Sequence, residues 1–92
     1  MDSVGANIVV RGSVQGVGFR YFCHVRATRL HLKGWVRNEP DGSVALLVEG
    51  DRGSVEVLID ELKLGPRSAS VADLHIQWQP FSGKYHSFSI TG

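Results

Sequence analysis

The chain predicts an α+β sandwich, one antiparallel sheet with two helices on a single face. Three observations lead there. Alternating or β-branched runs and two segments of helical period follow one another in the order βαβ, βαβ, β. Each helical segment carries one apolar stripe, which needs a sheet face to cover it. The 92 residues hold apolar content for one core and no second one.

Residues 1–5 are expected to be loose, since nothing in them forms a pattern. Asn7 to Arg11 contains Ile8, Val9 and Val10 and runs into Gly12, Gly16 and Gly18, which reads as a strand entering a loop. Phe19, Phe22, Cys23, Ala27 and Leu30 then recur at helical spacing, with Arg20, His24, Arg26 and Arg29 mostly off the stripe, giving a helix of about three turns. Lys33 to Asn38 alternates around Trp35 and Val36. The turn cluster Glu39 to Ser43 and the run Val44 to Glu49 complete a β-hairpin. Asp51 is placed to cap a second helix, whose Val55, Leu58, Ile59 and Leu62 repeat at i, i+3, i+4 and i+7 until Gly65 and Pro66 stop it. Ala72, Leu74, Ile76 and Trp78 alternate with Val71, Asp73, His75 and Gln77. The first set, Trp78 included, is expected to be buried, with Pro80 closing the strand. A short last strand around Phe88 and Ile90 follows Ser82 to Lys84. Two βαβ units in tandem with both helices on one face make the ferredoxin-like split βαβ arrangement, here βαββαβ plus a short C-terminal strand over a single domain of residues 1–92.

Composition narrows the function. With 42% hydrophobic and 21% charged residues the chain falls in the globular range. One cysteine, Cys23, cannot form a disulfide within the chain, which fits a reducing compartment. No apolar run approaches a membrane span and residues 1–6 show no targeting pattern, so a cytoplasmic protein without membrane contact is expected. The net charge of +1 hides an asymmetry: up to Asn38 six bases oppose one acid, and beyond it four bases oppose eight. An anion would favour the first part.

Gly12-Ser13-Val14-Gln15-Gly16-Val17-Gly18-Phe19-Arg20 lies where that asymmetry meets the first strand-to-helix turn. Glycines that accept positive φ turn successive N–H groups inward, and a helix start adds roughly half a positive charge. Arg20, in the first helical turn, can grip two oxygens of one phosphate. The spacing is neither GxGxxG nor a Walker pattern, which speaks against nucleotide binding.

These residues resemble a family. Val14-Gln15-Gly16-Val17-Gly18-Phe19-Arg20, preceded by Gly12 and followed by Gly34-Trp35-Val36-Arg37-Asn38 and Gly42-Ser43-Val44, look like the two signatures of acylphosphatases, and the element order resembles that family over nearly the whole chain. The sequence departs from the family pattern at Gly18, where many members have a larger residue, and in its Ile90-Thr91-Gly92 end. The resemblance implies hydrolysis of the carboxyl–phosphate anhydride of small acyl phosphates with no metal and no cofactor. Arg20 would hold the phosphate and Asn38 would position the attacking water. The amides of Gln15, Gly16, Val17, Gly18, Phe19 and Arg20 would form the cradle.

Other residues have simpler explanations. His24, His31, His75 and His86 are scattered without metal-ligand spacing. Cys23 lies on the apolar stripe and reads as core. Trp35 is expected on the exposed sheet face, and Phe19 anchors the helix start. The main alternative is a non-catalytic phosphate-binding or RNA-binding ferredoxin-like module. RNA recognition on such a sheet needs aromatics on the two central strands, and Ile8 to Val10 and Val44 to Val48 supply none. A domain of the kind attached to a hydrogenase-maturation carbamoyltransferase is the other alternative. A monomer that does not bind nucleic acid is expected.

Overall fold

The structure, a computed structural model, describes residues 2–92. Its elements are β1 (Ser3–Ser13), α1 (Phe19–Arg29), β2 (Lys33–Asn38), β3 (Val44–Asp51), α2 (Arg52–Leu64), β4 (Ser70–Pro80) and β5 (Phe88–Ile90). Across the sheet they run β4-β1-β3-β2-β5. The two βαβ units therefore interleave, and the opening strand of each lies in the middle. This is the ferredoxin-like order.

Alternation builds the buried face. Ala6, Ile8 and Val10 of β1 pair across with Val48, Leu46 and Val44 of β3, and all six are buried. Both helices cover that face, α1 through Phe19, Cys23 and Ala27, and α2 through Val55, Leu58, Ile59 and Leu62. Full burial of a side chain such as Leu58 or Leu62 contributes roughly 1.5–3 kcal/mol. Asp51 caps α2 as expected, accepting from the Ser54 amide at 3.2 Å, and the Gly65 amide closes the other end on the Glu61 carbonyl at 2.9 Å. Gly34 is required by close approach: a Cβ there would lie 1.8 Å from the Leu47 carbonyl oxygen of β3.

The sheet margins differ from expectation in four ways. Ser3 to Gly5, expected to be loose, are the first rungs of β1, paired with Asp51 to Glu49 of β3; Met1 lies outside the described residues. The sheet is mixed rather than purely antiparallel, because β5 returns alongside β2 in parallel register, Gly34 against Phe88. The alternation of β4 slips where Arg11 pairs with Asp73 but Gly12 with Val71, leaving Ala72 as the extra residue of a bulge. Val71, not Ala72, therefore packs against the core with Leu74 and Ile76. Trp78 is 38% exposed rather than buried. It sits on an edge strand opposite Ala6, covered by the Arg52 guanidinium 4.3 Å above its ring. Trp35 is half-buried on the face away from the helices, with the Arg37 guanidinium 4.5 Å over its ring.

β3 is central and is buried on both faces, including Ala45, Leu47 and Glu49. Glu49 accepts from the Ser82 and Gly83 amides at 2.9 and 3.1 Å, which fastens the β4–β5 crossover to the sheet and supplies the buried carboxylate with donors.

Candidate active site

Between β1 and α1 the chain makes a tight turn over Gln15 to Gly18. Gly16 and Gly18 both have positive φ, 74° and 79°. A Cβ at either would meet nothing within 4 Å, so these glycines serve backbone conformation and leave open space beside it. Gly18 is also the N-cap of α1. It has no side chain to accept from the first-turn amides, and that turn holds no acid. The donors that a helix start leaves unsatisfied are therefore not taken up by a capping side chain.

Val14, Gly16, Gly18, Phe19, Arg20, Tyr21, Asn38 and Ile90 line a hollow of about 210 Å³ over this turn. That is room for a phosphoryl group and a water beside it. Asn38 reaches it from the end of β2. Its Oδ1 is buried and has no hydrogen-bond partner among the described residues, an uncommon condition for a buried polar atom.

Five hydrogen bonds hold the parts in place. The Arg20 guanidinium donates to the Gly92 carbonyl, and the Asn38 backbone amide donates to the same oxygen at 3.1 Å. The Gln15 side-chain amide donates to the carbonyls of Glu39 and Ser43 at 2.7 and 2.9 Å. On the opposite side the Ser68 hydroxyl donates to the Val17 carbonyl at 2.7 Å. The loop is thus fastened to the β2–β3 turn and to the segment before β4.

Of the expected residues, Gly16, Gly18, Phe19, Arg20 and Asn38 come together around the hollow. Gln15 and Val17 belong to the same turn, but the Gln15 side chain points to the hairpin and the Val17 carbonyl to Ser68. Tyr21, Ile90 and Gly92 were not anticipated. Tyr21 follows Arg20 on the exposed side of α1. Ile90 and Gly92 arrive only through the pairing of β5 with β2, for which no local motif exists. Cys23 is fully buried four residues on from Phe19, and burial pushes its thiol up to about 12, so it stays protonated and inert at neutral pH.

Comparison with known proteins decides the family. The acylphosphatase family model matches residues 6–90. The chain belongs to the acylphosphatase family. It is 44% identical over 81 residues to an acylphosphatase of Salinibacter ruber, covering 88% of this chain and 85% of the relative. It is 40% identical over 90 residues to one from Pelotomaculum thermopropionicum, covering 98% of each. The crystal structure of the Bacillus subtilis acylphosphatase superposes with a TM-score of 0.93 at 36% identity, over 97% of this chain and 99% of that one. The chain is therefore an acyl-phosphate hydrolase acting on small substrates, and among the described residues no helix is long and apolar enough to cross a membrane.

Proposed function

We propose that hydrolysis proceeds by in-line attack of a water oriented by Asn38 on a phosphoryl group held by Arg20 and the amides of residues 15–20. The observation that carries this reading is that Asn38 and Arg20 line one hollow, and that the Asn38 Oδ1 has no hydrogen-bond partner among the described residues. Turned toward the hollow, that oxygen would accept from a water bound there. Phosphoryl transfer asks mainly for positioning and charge stabilisation, and a guanidinium with a ring of amides provides both. The leaving carboxylate is stable as an anion and takes the electron pair of the breaking P–O bond without protonation. Asn38 is too weak a base to remove the proton of water, which passes instead to a phosphate oxygen.

The hollow contains no carboxylate or histidine, and among the described residues no three His, Cys, Asp or Glu side chains gather to hold a metal. We read the reaction as metal-independent and cofactor-free because a guanidinium and backbone amides can supply the charge stabilisation. The aromatic-free central strands β1 and β3 support a protein that does not bind nucleic acid. One contiguous core supports a single domain over residues 1–92, and we extend the reading to a monomer. The lone buried thiol of Cys23 is in keeping with a reducing, cytoplasmic setting.

The test is turnover of acetyl or benzoyl phosphate with a chelator present. Wild type is expected to stay active. Asn38→Ala should lose about 100- to 1000-fold in kcat and still bind orthophosphate, while Arg20→Ala should lose more, because a full charge goes with the donor. Activity abolished by the chelator, or kept by Arg20→Ala, overturns the mechanism.

A further inference from the structure

The resemblance assigns Gln15 a role through its backbone, yet its side chain joins the cradle loop directly to the hairpin, a second tie beside the one that Arg20 and Asn38 share through the Gly92 carbonyl. Its Nε2 donates to the Glu39 and Ser43 carbonyls, the two ends of the turn joining β2 to β3. Glu39 follows Asn38 directly, and Asn38 with Val44 forms the last pair of the hairpin. The backbone of Gln15 leads straight into Gly16 and the cradle. One half-buried amide group thus spans from the phosphate-holding loop to the residue next to Asn38.

The chemistry of the contact is specific. Both partners are carbonyl oxygens, so the group between them must bring two hydrogens on one atom, as a primary amide does. The turn does not depend on it. The Ser43 carbonyl also accepts from the Glu39 amide at 2.9 Å, and the Glu39 carbonyl from the Gly42 amide at 3.1 Å. Removing the Gln15 donor leaves neither oxygen without a partner and the hairpin closed. What is lost is the direct tie between the hairpin turn and the cradle loop, while the bridge from Arg20 to Asn38 through the Gly92 carbonyl remains.

We infer that Gln15 is a positioning residue, which sets the distance between the phosphate cradle and Asn38 so that the oriented water meets phosphorus in line. This rests on the roles given above to Arg20 and Asn38. A small misplacement of reacting groups costs far more in turnover than in ground-state binding.

The experiment compares Gln15→Met, which keeps length without donors, and Gln15→Glu, which turns an acceptor toward two carbonyls. Kinetics with benzoyl phosphate and inhibition by orthophosphate are measured for each, in wild-type and Asn38→Ala backgrounds, with thermal unfolding as the check on folding. Gln15→Met should lower kcat by roughly 10- to 100-fold. Its inhibition constant for orthophosphate should stay within about threefold, because amides and Arg20 set it. In the Asn38→Ala background the same change should lower kcat by less than about twofold, since the group it places is gone. Gln15→Glu should lose at least as much as Gln15→Met. Losses that multiply in the double variant, phosphate affinity that falls in step with kcat, or an unchanged kcat in Gln15→Met each overturn the inference. Full activity in Asn38→Ala with Gln15 intact overturns the underlying site reading, and the inference with it.

Discussion

The two helices occupy equivalent places in their βαβ units and begin in opposite ways. α2 starts at Asp51, whose carboxylate accepts from the Ser54 amide. α1 starts at Gly18, with left-handed backbone and no side chain to accept anything. The first arrangement satisfies a donor inside the chain and is worth about 1 kcal/mol to the fold. The second forgoes that gain, and its Gly18, Phe19 and Arg20 line the hollow together with Asn38. In the function proposed above, the amides that a cap satisfies in α2 are kept for an anion in α1, and a chain cannot use one set for both.

Moving a cap from one helix to the other should break the comparison. Gly18→Asp supplies α1 with the carboxylate it lacks, in direct competition with phosphate. Its affinity for orthophosphate, read by calorimetry, is expected to fall by at least about tenfold, the worth of one charge-assisted hydrogen bond. Gly18→Ala is the control, since an L-residue at φ 79° costs roughly 1–2 kcal/mol of stability with or without charge. Equal phosphate affinity in the two variants would show that the open amides of α1 do not hold the anion. The reverse change is milder. Asp51→Ala should lower unfolding stability by about 1 kcal/mol in urea titration, with kcat and phosphate affinity unchanged. A fall in kcat would mean that α2 contributes to the site.

The smallest effect concerns acid. Asp41, in the exposed turn that Gln15 grips, accepts from the Ser43 hydroxyl at 2.6 Å and the Ser43 amide at 3.0 Å. These hydrogen bonds, the hydroxyl first, hold its carboxyl below the ordinary 3.8. A carboxylate with a depressed folded pKa stabilises fully above its unfolded value and loses that contribution as pH falls through the folded one. Wild type should therefore shed a small part of its stability on acidification below 3.8, and Asp41→Asn should show a shallower decline there. Urea midpoints for both proteins across that range give the answer. Identical slopes would mean that the turn gains nothing from the pair.

Much of this was legible without coordinates, because its causes are local. Stripe spacing marked both helices, Asp51 and Gly65 marked the ends of the second, and the glycine cluster before Arg20 marked a tight turn with the positive φ values that glycine permits. The motif residues Gly16, Gly18, Phe19, Arg20 and Asn38 do meet around one hollow. What periodicity could not show lies at the edges and between distant segments. The bulge at Ala72 depends on how β4 meets Arg11 and Gly12, and the exposure of Trp78 on the place of β4 at the edge of the sheet. Arg20 meets Gly92, and Gln15 meets Glu39 and Ser43, across 72, 24 and 28 positions of chain. Such contacts have no periodic signature. Short-range sterics and apolar alternation are written residue by residue, whereas the partner of a side-chain amide is chosen only when sheet pairing has brought remote carbonyls within its reach.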